Sequence, residues 1–415
     1  GSDVRFRLRG DLADFPFRDP RKGEFRIAAN LADVHLRYAA DWPAIEHLSG
    51  EMLFDGPSLT ILAQRATTLG AQLQSVEARF DDLYHDAPVL RVTGRAQAPT
   101  EALLHYIAKS PVRGYINGLT DGWTAEGPGR LELALVLPLE ALERSRVQGR
   151  VVFDDNTIVM APGDLPMTHV KGHVDFSERG ASSPGIQAQY AGGPLTVRIE
   201  QDGDAILTRA SGRGEAAALA RSVGVPFAER LKGMLQYQAV LRSEGGRTHS
   251  VFESDLRGVA IELPAPLAKA AAESWPLRIE RASESAARQR LSVSLGEVFN
   301  LQGVLRREGA RTVLERAGVA IGSAAVPRPA GAAIAVAVEV PRVDLDAFAP
   351  LLQGGAGGAT MAPVASLDLR TKELVGVGRV VHDVIVRAQL RDKVWRAEVQ
   401  ARELAGEVSW LPKGN

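Results

Sequence analysis

Leu131-Glu132-Leu133-Ala134-Leu135-Val136-Leu137-Pro138-Leu139 places a leucine at every second position, five on one face. A strand turns successive side chains to opposite sides, so this stretch has a dry leucine face and a wet face carrying Glu132. A helix would scatter the same leucines around its circumference. The pattern extends in both directions along the chain. Leu195-Thr196-Val197-Arg198-Ile199-Glu200 and Leu291-Ser292-Val293-Ser294-Leu295 alternate in the same way, and Trp395, Ala397, Val399 and Ala401 alternate with Arg396, Glu398 and Gln400. One dry face and one wet face is the pattern of antiparallel sheet.

A second phrase recurs four times: apolar, any, Gly, any, apolar, any, aromatic. It reads Leu48-Ser49-Gly50-Glu51-Met52-Leu53-Phe54, Val147-Gln148-Gly149-Arg150-Val151-Val152-Phe153, Val170-Lys171-Gly172-His173-Val174-Asp175-Phe176 and Leu231-Lys232-Gly233-Met234-Leu235-Gln236-Tyr237. Its key residues share one face of a strand, and recurrence along the chain suggests an array. Glycine weakens a strand interior, so these glycines are expected to mark bending or close backbone approach. Asp55-Gly56, Gly192-Gly193 and Gly245-Gly246 read as turns, as do Asp81-Asp82 and Asp154-Asp155.

Helical patterns are few: Thr100 to Lys109 with Thr100 as N-cap, Glu215 to Val223, Pro264 to Glu273, and Asp344 to Leu352. They read as short caps over a sheet, because the regular strand–helix rhythm of a parallel sheet is missing. Three segments are expected: 1–145 with the helix near 100–109, 146–225, and 226–415 with helices near 264–273 and 344–352. Gly354 to Ala359 reads as a flexible connector.

The 415 residues are 45% apolar and 24% charged with a formal charge of -1, which offers no field for nucleic acid. The absence of cysteine excludes disulfides, thiolate metal sites and cysteine nucleophiles. No stretch reaches the roughly 20 apolar residues of a spanning helix. No signal peptide is present, Gly1-Ser2 reads as a cloning remnant, and the chain is expected to be an excised piece of a longer protein.

Catalytic motifs are missing. His169 and His173, four apart on a strand, stand ~13 Å from one another and cannot share one ion without partners. Asp41, Glu46 and His47 contain an acid–base pair but no nucleophile motif, and Trp42-Pro43 reads as a turn staple. No P-loop, dinucleotide fingerprint or Gly-x-Ser-x-Gly elbow occurs, so no enzyme and no cofactor is expected.

Gly10-Asp11-Leu12-Ala13-Asp14-Phe15-Pro16-Phe17 and Asp41-Trp42-Pro43-Ala44-Ile45-Glu46-His47, running into the first Gly phrase, resemble the YhdP branch of the AsmA-like proteins of Gram-negative bacteria. Leu119-Thr120-Asp121-Gly122-Trp123, the Gly-to-Phe strands around Asp154-Asp155, and Gly406-Glu407-Val408-Ser409-Trp410 are similar to the same family. The resemblance implies a mainly β fold: a long antiparallel, strongly curved sheet forming an open apolar trough, a repeating β-groove with a few short capping helices. It also implies a periplasmic body anchored in the inner membrane through a preceding segment. That body reaches the outer membrane through a following one and carries phospholipid acyl chains between the two.

The alternation alone is equally compatible with a closed β-sandwich core. The expected groove floor is Leu131, Leu133, Leu135, Leu137, Val151, Phe153, Val174, Phe176, Leu235, Tyr237, Leu291, Val293 and Leu295. Period two assigns each to a dry face, and a common floor is an expectation. In an open trough an aspartate at 135 or 174 would be hydrated without unfolding the sheet. The competing functions are a structural or adhesive β-solenoid or envelope scaffold, and a hydrolase.

Overall fold

The computed structural model describes residues 2–37, 41–116, 118, 120–160, 164–308, 311–353 and 362–411. They form 25 strands and four short α-helices, the mainly β fold that the alternation predicts. The chain divides into two compact units, 1–190 with 196–206, and 191–195 with 207–415.

The first unit contains β1 (Ser2–Gly10), β2 (Gly23–Leu36), β3 (Ile45–Asp55), β4 (Ser58–Thr68), β5 (Ala71–Phe80), β6 (Val89–Pro99), α1 (Thr100–Ala108), α2 (Val112–Tyr115), β7 (Thr124–Glu126), β8 (Pro128–Pro138), β9 (Arg146–Val159), β10 (Met167–Ser177) and β11 (Gly180–Tyr190). Neighbours in the order β1-β2-β3-β4-β5-β6-β8-β9-β10-β11 pair antiparallel, and the short β7 pairs with β9. β12 (Gly193–Asp202) and β13 (Ala205–Glu215) carry residues of both units.

The second unit continues with α3 (Ala216–Ser222), β14 (Leu231–Glu244), β15 (Arg247–Ser254), β16 (Val259–Ile261), β17 (Leu277–Ser283), β18 (Arg288–Leu295), β19 (Phe299–Glu308), β20 (Arg311–Gly322), β21 (Ile334–Asp344), α4 (Leu345–Gln353), β22 (Val364–Gly376), β23 (Arg379–Arg391), β24 (Val394–Gln400) and β25 (Ala405–Trp410).

The pairing is mixed, which corrects the all-antiparallel expectation. β20 pairs parallel with β21, and β21 parallel with β22. Residues 323–333 carry the chain back before β21 starts, and α4 lies between β21 and β22. Parallel neighbours need such crossovers, whereas a tight hairpin returns the chain antiparallel. Gly354 to Ala359, expected to be a connector, lie outside the described residues.

Three of the four expected helices form: α1, α3 and α4. The helix expected from Pro264 to Glu273 does not. There Lys269 is buried at 4% exposure, and its ammonium donates to the carbonyls of Leu256 (2.9 Å), Val259 (2.8 Å) and Ala270 (3.1 Å). Burial lowers its pKa from the usual lysine value. Ile261 and Lys269 also exchange backbone hydrogen bonds. This tertiary anchoring of a loop overrides the alanine-rich helix propensity. Lys269→Ala leaves three carbonyls without their donor and is expected to cost about 2 kcal/mol in a urea melt. An unchanged melt would show that the ammonium does not hold this loop.

Thr100 is not the N-cap of α1. Pro99 holds that position without a side-chain cap, and Thr100 is buried. Asp81 and Asp82 lie in a turn as expected, but Asp154 and Asp155 lie inside β9.

Candidate functional site: an apolar face in the first unit

Register turns period two into a surface. Leu131, Val151 and Val174 stand directly opposite one another across β8, β9 and β10. Beside them run Leu133, Gly149 and Phe176, and on the far side Gly129, Phe153 and Gly172. The rows continue into β6, where Ala96, Gly94, Val92 and Leu90 face Leu131, Leu133, Leu135 and Leu137. Beyond the register shift between β5 and β6, Ala78 faces Ile61, Ile61 faces Met52, and Met52 faces Ala29.

Large side chains alternate with glycine across these rows, and here the expected close approaches occur. A Cβ on Gly149 would overlap the Phe176 ring, and a Cβ on Gly50 would overlap the Leu62 carbonyl oxygen. Gly172 and Gly233 also face neighbouring backbone and have positive φ.

The middle of this face is concave. A slot of about 110 Å³ is lined by Leu36, Leu48, Ile61, Leu73, Val76, Val92, Leu131, Leu133 and Leu135, together with Leu103 and Tyr106 of α1. Pockets that enclose a whole ligand usually measure roughly 300–1,000 Å³. The slot suits an aliphatic chain that lies along it and stays partly outside. Its flank is closed core: Leu90, Leu135, Leu137 and Val147 form a buried cluster, with Trp42, Phe80 and Phe176 packed on it. Leu135 is only 4% exposed, so a charge there is not hydrated, contrary to the open-trough expectation. Val174 is half-buried.

The opposite face is ionic. Arg95, Glu132, Arg150 and Asp175 are register partners across β6, β8, β9 and β10, an alternating row of charge. Arg150 reaches Asp175 at 2.6 Å, and Arg95 reaches Glu132 at 3.7 Å. The Arg150 hydrogen bond holds the Asp175 carboxyl below its usual pKa. Opposite charges directly across the strands stabilise this wet face.

One end of the apolar face is fixed by Asn156, which is fully buried. Its amide donates to Thr100 Oγ1 (2.7 Å) and to the carbonyls of Pro128 (2.9 Å) and Glu126 (3.2 Å), while its Oδ1 accepts from the Asp154 N–H (2.7 Å). Asp154-Asp155 therefore belong to a bulge stitched inside β9 rather than to a turn.

That bulge has a twin. Asp155 and His169 both have left-handed φ, and His169 Nδ1 lies 2.8 Å from Asp155 Oδ1. Asp33 and His47 repeat the arrangement at 2.7 Å, with the same separation of 14 residues. In each pair the histidine directly precedes the first apolar residue of a Gly phrase, and that residue, Leu48 or Val170, is buried. His169 and His173 are thus carboxylate-paired strand residues, His173 lying 3.6 Å from Asp175. His47 pairs with Asp33, not with Asp41 or Glu46. Among the described residues no group of three or more His, Asp or Glu side chains is arranged to hold a metal ion.

Of the expected floor, Leu131, Leu133 and Leu135 line the slot, and Leu137 and Phe176 join its flanking core. Val151 and Val174 sit in the row of Leu131, and Phe153 in the next row. Leu235, Tyr237, Leu291, Val293 and Leu295 belong to the second unit. There Leu235 and Tyr237 are buried, Tyr237 stacking on Phe252 at 5.4 Å, and Leu291, Val293 and Leu295 are half-buried on β18. The slot also uses Ile61, Leu73, Val76 and Val92, which the sequence pattern does not single out. Their signal is Leu59-Thr60-Ile61 and Val76-Glu77-Ala78, short alternations cut by bulges.

Among the described residues no helix is long and apolar enough to cross a membrane. No solved structure matches the chain. The intermembrane phospholipid transporter YhdP of Escherichia coli (strain K12) is 23% identical over 407 residues, which cover 94% of this chain and 31% of that relative. The chain thus spans about a third of the length of the relative. A family model described as YhdP protein matches residues 1–415, and with a match over the whole length the chain belongs to the YhdP family.

Proposed function

We propose that this chain is part of a lipid conduit in which phospholipid acyl chains slide along the apolar face while the ionic face stays in water. The carrying observation is the set of apolar rows that runs from β2 to β10 across intervening bulges, backed by the charged row Arg95, Glu132, Arg150, Asp175. Exposing a two-chain lipid to water uncovers ~30 methylenes at ~0.8 kcal/mol each, a barrier of about 24 kcal/mol. A surface that replaces the bilayer interior along the route removes most of that barrier and needs no catalytic group. The intermembrane phospholipid transport named for the Escherichia coli relative supports the same reading. On it, the chain works in the periplasm as part of a longer protein held in the inner membrane and directed to the outer one. Within the second unit, the half-buried Leu291, Val293 and Leu295 are the floor residues able to meet lipid, whereas Leu235 and Tyr237 are buried in its core.

A photo-crosslinking amino acid at position 131 tests this. On exposure to phospholipid vesicles it is expected to label lipid, whereas the same group at the wet-face position 132 is expected to label little. Equal labelling at the two positions, or none at 131, would remove the conduit reading.

A further inference from the structure

The second unit carries one feature that an apolar floor does not require. Arg281 lies on the apolar face of β17, with Ser250 of β15 and Leu291 of β18 as its register partners. The next rows on that face are Ile279 with Val293 and Leu277 with Leu295. Arginines of the opposite face have carboxylates: Arg278 pairs with Glu253 and Glu280, and Arg288 pairs with Glu315. Among the described residues no carboxylate pairs with Arg281, and burial is the influence on its guanidinium, drawing its pKa down. It remains a cation, because arginine does not deprotonate in proteins.

A charge held half out of water without a counter-ion is costly, and an anion relieves the cost. Resting on the conduit reading, we propose that Arg281 is a headgroup site, its guanidinium taking the phosphodiester of a phospholipid whose acyl chains lie on the apolar rows beside it. The ligand must be anionic where Arg281 stands and aliphatic where Ile279 and Val293 stand, and a phospholipid joins both properties in one molecule. The guanidinium fork matches two phosphate oxygens, and the Ser250 hydroxyl lies next to it in register. Ser283, one step further on this face, has its hydroxyl engaged with Thr248 at 2.9 Å. Lipid passing this point is therefore held by its head as well as its tails.

The test compares the unchanged chain with Arg281→Met and Arg281→Lys. Calorimetry measures binding of short-chain phosphatidylglycerol, which is monomeric in water, and of the diacylglycerol with the same chains. Arg281→Met is expected to bind the phospholipid roughly tenfold or more weakly, the loss of a charge-assisted hydrogen-bond pair. It should bind the diacylglycerol unchanged and melt no lower, since no protein partner is lost. Arg281→Lys should recover part of the phospholipid affinity. Undiminished phospholipid binding by Arg281→Met overturns the proposal. So does a lower melt with loss of both lipids, which makes Arg281 structural. So does displacement of phospholipid by an equal concentration of inorganic phosphate, which makes the site one for a free anion. If the unchanged chain binds neither lipid, the conduit reading itself fails; if it binds both and Arg281→Met does too, only the headgroup site fails.

Discussion

Leu135→Asp is expected to cost the protein at least about 3 kcal/mol and to unfold the first unit well before the unchanged chain does, whereas Val174→Asp folds normally and loses lipid contact. The two leucine and valine positions belong to the same sheet face but differ in what covers them. Leu135 is 4% exposed in a cluster with Leu90, Leu137 and Val147, capped by Trp42, Phe80 and Phe176. A carboxylate there forfeits the buried leucine and must either lose its solvation or take up a proton, and both are unfavourable. Val174 is half-buried in the row with Val151 and Leu131, so a carboxylate at 174 finds water. Urea melts measure the first effect, and lipid labelling from a crosslinker at position 131 measures the second. If Leu135→Asp melts like the unchanged chain, the cluster is open to solvent. If Val174→Asp folds and labelling at 131 persists at full strength, Val174 does not border the lipid route.

Gly50→Ala is expected to be nearly as damaging, although it adds a single methyl group. The new Cβ would overlap the Leu62 carbonyl oxygen and press on the Ala63 Cα, both backbone atoms of the neighbouring strand. Backbone cannot swing aside, so the β3–β4 ladder must shift where Gly50 faces Ala63. A loss of about 3 kcal/mol is expected, at the upper end of overpacking costs. Gly149→Ala meets a side chain, the Phe176 ring, which can rotate, and about 1–2 kcal/mol is expected there. Gly185→Ala is the control: nothing lies within 4 Å of its Cβ and its φ is not left-handed. It should be neutral or slightly stabilising. The expected order in denaturant melts is Gly50, then Gly149, then Gly185. Any order that puts Gly185→Ala first would show that close approach is not why the phrase keeps its glycine.

Much of this architecture is legible in the amino-acid sequence. The leucines from 131 to 137 are assignable to one face because alternation in a strand is a property of the pleat, fixed residue by residue. The glycines of the recurring phrase are readable as close approaches for a similarly local reason. Other features are not readable. Asp33 with His47 and Asp155 with His169 adopt left-handed φ and break the alternation, and nothing in period two shows a bulge. The alanine-rich run after Pro264 has helix propensity, but a buried ammonium gathering three carbonyls decides its path. The same limit applies to Arg281, which the sequence shows only as one arginine in an arginine-rich stretch. By itself the sequence determined that this is a strand-built protein with dry and wet faces, because side-chain direction depends only on local backbone geometry. Tertiary structure decided which dry residues meet in rows, which lie in closed core and which border a slot, and which strands run parallel. Those depend on register and crossover, set by turns, bulges and contacts between residues far apart in the chain.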